Sequence, residues 1–337
     1  MPAAGVMPWT AALAASTVLA ACTSRPAPAV IPDGGYHVVH GWPVVPANTM
    51  LDEVSAVAVD SRDRVFVLTR GNRKWPDSGL LDTTPIHAPT VTVFDGRSGR
   101  MLTQWSGDRF ALPHSITIDR NDDVWVTDVA WHQVLKFSPD GTPLLTLGQR
   151  GVPGTDSLHF NRPSDVAVSP DGSVYVSDGY GNNRIVRFAA DGRWLGAWGR
   201  KGAGAGELDL PHALAVDRRG RVFVVDRGNA RIQIFDPAGR YLAQWPAGSF
   251  TGAQDIKIGD DGNSYVAAAG ADGPEDRTGV VILDSTGAVA GKIGCFGNYD
   301  GQFEDLHWLA LSPAGALYTA DFSGRRVQKF VRTEVRR

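Results

Sequence analysis

Short stretches in which apolar and polar residues alternate recur along most of the chain, punctuated every few positions by Gly, Asp and Asn. The clearest unit is HSITIDRNDDVWVTDVAWHQVLKFSPDG. It is followed by SDVAVSPDGSVYVSDGYGNNRIVRFAADG and HALAVDRRGRVFVVDRGNARIQIFDPAG. Each reads as an alternating strand, a tight turn, a second strand ending in Asp, a loop, and a third strand that stops before another turn. A period of two with this punctuation is the pattern of half-buried hairpins. Fainter copies are SAVAVDSRDRVFVLTRG, QDIKIGDDGNSYVAAAG and HWLALSPAGALYTADFSGRRVQKF.

Six such units predict an all-β fold, a six-bladed β-propeller over residues 36–337. The first strand of each unit closes at Asp60, Asp119, Ser169, Asp217, Gly259 and Ser312. These markers lie 42 to 59 residues apart, room for four strands and loops of varied length. The last unit has only three strands before the chain ends. Tyr36 to Trp42 is therefore expected to supply its outer strand and close the ring.

Composition adds what the pattern leaves open. Hydrophobic residues make up 43% of the chain and charged residues 20%, which is globular. The net charge is −3 with both signs scattered, so nothing offers nucleic acid a basic stripe. A monomer is expected. Residues 1–21 are a separate object: an apolar stretch of small residues, too short to span a bilayer, ending in Leu19-Ala20-Ala21-Cys22. That ending resembles a bacterial lipobox, in which the chain is cut before a cysteine that is then acylated. Residues 22–35 read as a Pro/Ala-rich tether. The protein is expected to be an exported cell-envelope lipoprotein, periplasmic or at the cell surface, held to the membrane through a lipid on Cys22. A plain secretory signal with a chance cysteine is the alternative. Cys295 is the other cysteine, so acylation of Cys22 leaves no intramolecular disulfide and stability must come from the core.

The candidate chemistry appears in one column of the repeat. The residues opening the six inner strands are Ser55, His114, Ser164, His212, Gln254 and His307. Histidine takes the second, fourth and sixth blades and none of the others. Alternate blades of a six-fold ring stand 120° apart, so three imidazoles at equal depth converge on the axis. Three histidines with an open fourth position are the ligand set of a catalytic zinc ion. The plainer reading is a repeat consensus in which each His merely caps a turn. Second-strand ends return to the same mouth, and there the first blade offers Arg70 and the third Tyr180. A cation and a phenol beside a Lewis acid suit an oxyanion or carboxylate substrate. Asp128, Asp178, Asp226 and Asp321, with Arg184, Arg231 and Arg326, recur in most blades and read as fold-holding pairs. His132 stands where that arginine would be and is read as structural. His37, His40 and His87 are read as incidental.

The units resemble NHL repeats. LPHSITID, VWVTDVAWHQVLKF, HFNRPSDVAV, SDGYGNNRIV and LPHALAV further resemble the peptidyl-α-hydroxyglycine α-amidating lyases, over roughly residues 50 to 335. That resemblance implies zinc on His114, His212 and His307, a catalytic arginine at Arg70 in an R-G-x-x-x-W stretch ending at Trp75, and a catalytic tyrosine at Tyr180 in SDGY. It also implies a structural calcium on the backbone carbonyls of Val57 and Ile116 and on an Asp following the third histidine. Here Trp308 follows it, which argues against calcium unless Asp305 substitutes. The family's disulfides are missing, and these residues contain no copper monooxygenase domain. The implied reaction splits an N-(α-hydroxyalkyl) amide into an amide and glyoxylate, on a small-molecule or peptide substrate with a C-terminal carboxylate. The rivals are a non-catalytic propeller lipoprotein binding a peptide, sugar or protein partner, and a lactonase-like hydrolase.

Replacing Cys22 with Ser is expected to release the protein from membranes in fractionated cells without changing its fold. Unchanged membrane retention would leave the plain secretory reading.

Overall fold

The computed structural model describes residues 33–333 apart from 48, 77–79, 247–249, 251 and 269–277. The signal segment and Cys22 lie outside the described residues. Six four-stranded antiparallel sheets follow one another along the chain, and each inner strand touches those of the two neighbouring blades. The inner strands are Val54–Val59, Pro113–Ile118, Asp165–Val168, Pro211–Val216, Ala253–Ile258 and Leu306–Leu311. The expected propeller is the one observed.

The alternation that marks the strands becomes packing between blades. Val57, Val67, Ile116, Val126, Val225 and Ile256 face neighbouring sheets and are fully buried. The first hairpin of every blade closes by the same turn, in which the carbonyl of Asp60, Asp119, Ser169, Asp217, Gly259 or Ser312 accepts the amide three residues on. That turn puts its fourth residue at φ between 60° and 87°. Gly172, Gly220, Gly262 and Gly315 take the left-handed position in four blades, and Asp63 and Asp122 hold it in the first two.

Closure of the ring follows the expectation with tighter bounds. Tyr36–Val38 pairs antiparallel with Arg326–Arg332 of blade six, Tyr36 opposite Arg332 and Val38 opposite Phe330. The tether expected to reach residue 35 ends earlier than that. Asp33 bridges to Lys292, and the Gly34 amide donates to the Lys292 carbonyl at 2.8 Å, so these residues already lie along blade five.

The recurring Asp and Arg residues are fold-holding pairs. Asp178–Arg184, Asp226–Arg231 and Asp321–Arg326 pair at 2.9, 2.7 and 3.1 Å. Each arginine also donates to carbonyls of the loop entering its blade, among them His159, Glu207 and Gln302. Each Asp accepts backbone N–H groups from the same loops: Asp128 from Ala111 and Leu112, Asp226 from Asp209, Asp321 from Asp305. The chain is therefore clamped two or three residues before every column histidine. His132 is structural as read, its Nδ1 accepting the Arg162 amide at 3.0 Å. His40 and His87 form exposed pairs with Asp300 and Asp108.

Because Asp226 and Arg231 are both buried, Asp226→Ala leaves an unpaired cation inside the protein. Urea unfolding should show a loss of about 3–5 kcal/mol.

Candidate metal centre

Every described column histidine sits at a break in its strand's register. The pairing shifts between Pro113 and Ile116, between Pro211 and Ala213, and between Leu306 and Trp308. An extra residue at such a bulge re-aims its side chain, here toward the axis. The three imidazole rings lie 4.9, 5.0 and 5.4 Å apart by centroid, and their ligand nitrogens all fall within 4.8 Å of one another. All three residues are buried.

The other half of the column fixes their orientation. His114 Nδ1 lies 2.7 Å from the Ser164 carbonyl, His212 Nδ1 2.6 Å from that of Gln254, and His307 Nδ1 2.5 Å from that of Ser55. A carbonyl only accepts, so each Nδ1 carries the proton and each Nε2 presents a lone pair. Burial pushes all three imidazoles well below their ordinary value of 6.5. The neighbouring imidazoles and Arg70 add to this at His114, Arg227 does so at His212, and Arg70 helps bring His307 down to about 3. The rings are neutral at physiological pH.

Tyr180 completes the cluster. Its Oη lies 2.9 Å from His114 Nε2 and 3.0 Å from His212 Nε2. A phenol has one proton, so it satisfies one of these nitrogens and sets lone pair against lone pair at the other. Three converging neutral acceptors with at most one donor among them fit a bound cation, and imidazole nitrogen suits a zinc-class ion. Gly179 allows the approach, since a Cβ there would stand 1.8 Å from the Pro211 carbonyl oxygen just before His212.

Arg70 also faces the site. Its Nε donates to the Pro113 carbonyl at 3.1 Å, and its guanidinium lies between the rings of Trp75 and Phe322, 5.3 and 4.8 Å from their centroids. It is buried, and among the described residues no carboxylate reaches ion-pair distance of it. Burial pulls its pKa down, with Tyr180 and Glu53 opposing. Burial raises the Tyr180 phenol, against the pull of Arg227 and Arg70.

Arg227 is a functional candidate that the sequence reading missed. Its charge acts on Tyr180, His212, His307 and Asp305. It directly follows the second strand of blade four, as Arg70 follows that of blade one. Blades one and four oppose each other across a six-fold ring, so the repeat itself held the signal.

Trp308 stands where the resemblance places the carboxylate of a calcium set. Val57 and Ile116 are central residues of their inner strands, opposite Val67 and Val126. Trp308, however, brings an indole where a carboxylate is needed, and its ring lies 5.7, 6.0 and 5.3 Å from those of His114, His212 and His307. The Asp305 carboxylate meets Ser323 Oγ at 3.4 Å and feels Arg227 and Arg70.

Comparison with known proteins agrees with this architecture. The NHL repeat pattern matches residues 110–137, 160–188 and 208–235. Human NHL repeat-containing protein 3 is 31% identical over 313 residues, covering 88% of this chain and 84% of that protein. The chain belongs to the NHL-repeat family. Rat peptidylglycine alpha-amidating monooxygenase is 34% identical over 335 residues, 90% of this NHL-repeat chain and 33% of the rat protein. The chain thus spans about a third of that relative's length. Peptidyl-alpha-hydroxyglycine alpha-amidating lyase 1 of Drosophila melanogaster is 30% identical over 336 residues, covering 88% of this chain and 60% of the fly protein. The lyase resemblance read from a few motifs therefore holds along most of the chain. A solved streptogramin B lyase shares the fold alone, at TM-score 0.58 and 12% identity over 88% of this NHL-repeat chain and 97% of that one.

Elemental analysis of chelator-free protein is expected to find roughly one zinc-class ion per chain, lost in His212→Ala. In metal-free protein the unfolded chain takes up protons near pH 6.5 that the folded imidazoles refuse. Stability should therefore hold above about pH 6.5 and decline as pH falls from there toward 3, read by urea unfolding at several pH values.

Proposed function

We propose that this protein is a zinc-dependent carbon–nitrogen lyase, splitting an N-(α-hydroxyalkyl) amide with a C-terminal carboxylate into an amide and glyoxylate. The observation that carries the reading is Tyr180 Oη, within hydrogen-bond distance of the Nε2 atoms of two histidines whose Nδ1 protons are already committed to carbonyls. The relatives named as amidating lyases support it, and their activity is a proposal for this chain.

His114, His212 and His307 hold the ion, which supplies Lewis acidity and a fixed positive charge at the end of the channel. Arg70 grips the substrate carboxylate, its terminal N–H groups being without a protein acceptor among the described residues. Arg227, on the opposite blade, adds a second positive charge to the same mouth. Trp75 stands 4.8 Å from the Tyr180 ring, and Trp131 packs with Leu81, Ala111 and Leu112 in the cluster against which Tyr180 rests.

Tyr180 then acts as base. It takes the proton from the substrate hydroxyl while the oxygen's electrons form the new carbonyl. The C–N bond breaks with its electron pair going to nitrogen, and Tyr180 returns the proton there. Atoms balance without redox change: the hydroxyl hydrogen ends on the amide and the carbonyl on glyoxylate. Burial alone keeps the phenol protonated, so its activation rests on Arg227, Arg70 and the ion together.

The lipobox-like Leu19-Ala20-Ala21-Cys22 supports placing this activity at the cell envelope on a lipid anchor. A non-catalytic binding propeller is the second reading, favoured by the equally long alignment with a protein named only for its repeats.

Glyoxylate release from α-hydroxyhippurate separates the two readings. Metal-loaded wild type should release it, and Tyr180→Phe should keep fold and metal while losing about 10²–10⁴-fold in kcat. Arg70→Ala should raise KM, with Arg70→Lys restoring it only in part because an ammonium lacks the planar fork. Full turnover in folded Tyr180→Phe protein would remove Tyr180 from the mechanism, and no release by wild type would leave the binding reading.

A further inference from the structure

One step deeper along the inner strands lies a charged layer that the proposed reaction does not use. The position after the column residue reads Ala56, Ser115, Asp165, Ala213, Asp255 and Trp308. Trp308 is fully buried and packs against all three histidines, flooring their site. Asp165 and Asp255 are buried too, and each ties its blade to the next. Asp165 accepts the Val166 amide of its own strand at 2.7 Å and the Leu214 amide of blade four at 2.8 Å. Asp255 accepts Ile256 N–H at 2.8 Å and the Leu309 N–H of blade six at 2.9 Å.

Among the described residues, the side-chain cation that acts on both is Lys257. Lys257 Nζ lies 2.6 Å from Asp255 Oδ1 and 5.1 Å from the centre of the Trp308 indole. Burial drives both carboxyls upward and the Lys257 charge pulls both down, while the Asp255 charge raises Asp165 further. Two buried carboxyls joining neighbouring blades favour positive charge beside them, which keeps them ionised against burial.

We infer that the ammonium of Lys257, held by Asp255 and within electrostatic reach of Asp165, replaces the divalent ion that the resemblance implies, so that this channel carries its cation covalently and takes no calcium. Trp308 removes the carboxylate that such an ion needs and supplies an aromatic face to an ammonium instead. The ion's other implied donors, the carbonyls of Val57 and Ile116, are neutral and do not compensate two acids. This inference does not depend on the lyase reading.

The wild-type protein, incubated with excess calcium and desalted, should hold no calcium by elemental analysis. Its melting temperature in calcium and in EGTA should agree within about 1 °C, since a ligand stabilises only what it binds. Lys257→Ala empties the seat while keeping both carboxylates; it should melt about 5–10 °C lower and regain much of that in millimolar calcium. Stoichiometric calcium in the wild type, or Lys257→Ala melting like the wild type, would overturn the inference. If Lys257→Ala yields no folded protein, the charge-free triple variant Asp165→Asn, Asp255→Asn, Lys257→Met decides. Folding without a calcium response supports the inference, whereas failure to fold would mean that packing, not charge, is what Lys257 supplies.

Discussion

The hydrogen bond from each column histidine to the column residue of the next blade is the constraint on which the site depends. His114 reaches Ser164, His212 reaches Gln254, and His307 reaches Ser55. Even-numbered blades supply the imidazoles and odd-numbered blades supply the carbonyls that fix their tautomers. Without those acceptors each ring would be free to present either nitrogen, and three ligands would not share one focus. The third bond runs from the last blade to the first, across the seam where the chain closes on itself. The pairing of Tyr36–Val38 with blade six is therefore more than an edge repair. A ring that opened at that seam would lose a ligand's orientation along with its packing. The Asp residues ending the second strands serve the same purpose, because Asp128, Asp226 and Asp321 hold the backbone just before His114, His212 and His307.

This explains which parts of the molecule are legible in the sequence. A propeller repeats its geometry, so any residue whose role depends only on position within the repeat can be found by aligning the repeats. The six blades, the closing strand, the histidine column and the Asp–Arg clamps are of that kind. Arg227 belongs with them, since it shares its repeat position with Arg70, but a loop arginine attracts no notice until the opposition of blades one and four is considered. The channel layer of Asp165, Asp255 and Lys257 was harder to find. Its members come from two blades and two repeat positions, and only their depth in the channel brings them together. Asp305 could not be oriented from sequence either, because residues on either side of a bulge point in unrelated directions.

The two layers of the channel divide the electrostatics between them. Above Trp308 the side chains are neutral imidazoles and a phenol, with Arg70 and Arg227 contributing the fixed charges. Arg70 has no carboxylate at ion-pair distance among the described residues, although Glu53 and Asp305 act on it from farther away, and that arrangement suits a carboxylate substrate. In the next layer, which Trp308 shares, the carboxyls of Asp165 and Asp255 are served by the Lys257 ammonium. The Trp308 indole touches both layers, its ring 5.3–6.0 Å from the three imidazoles and 5.1 Å from Lys257 Nζ, and it carries no charge.

Tyr180 is where these constraints meet. Its phenol is raised by burial and lowered by two arginines, and burial prevails. A base that is protonated at rest abstracts nothing, so the proposed chemistry requires the cation that the histidines are built to accept. Metal-free protein should therefore lack activity for two separate reasons: the missing Lewis acid and a phenol that keeps its proton. The second reason can be seen without substrate. Loading the ion should lower the Tyr180 pKa, and the tyrosinate absorbance near neutral pH should rise in the wild type and stay flat in Tyr180→Phe. The opposite result, a phenol that titrates identically with and without metal, would place Tyr180 among the site's hydrogen-bonding groups and move the base elsewhere.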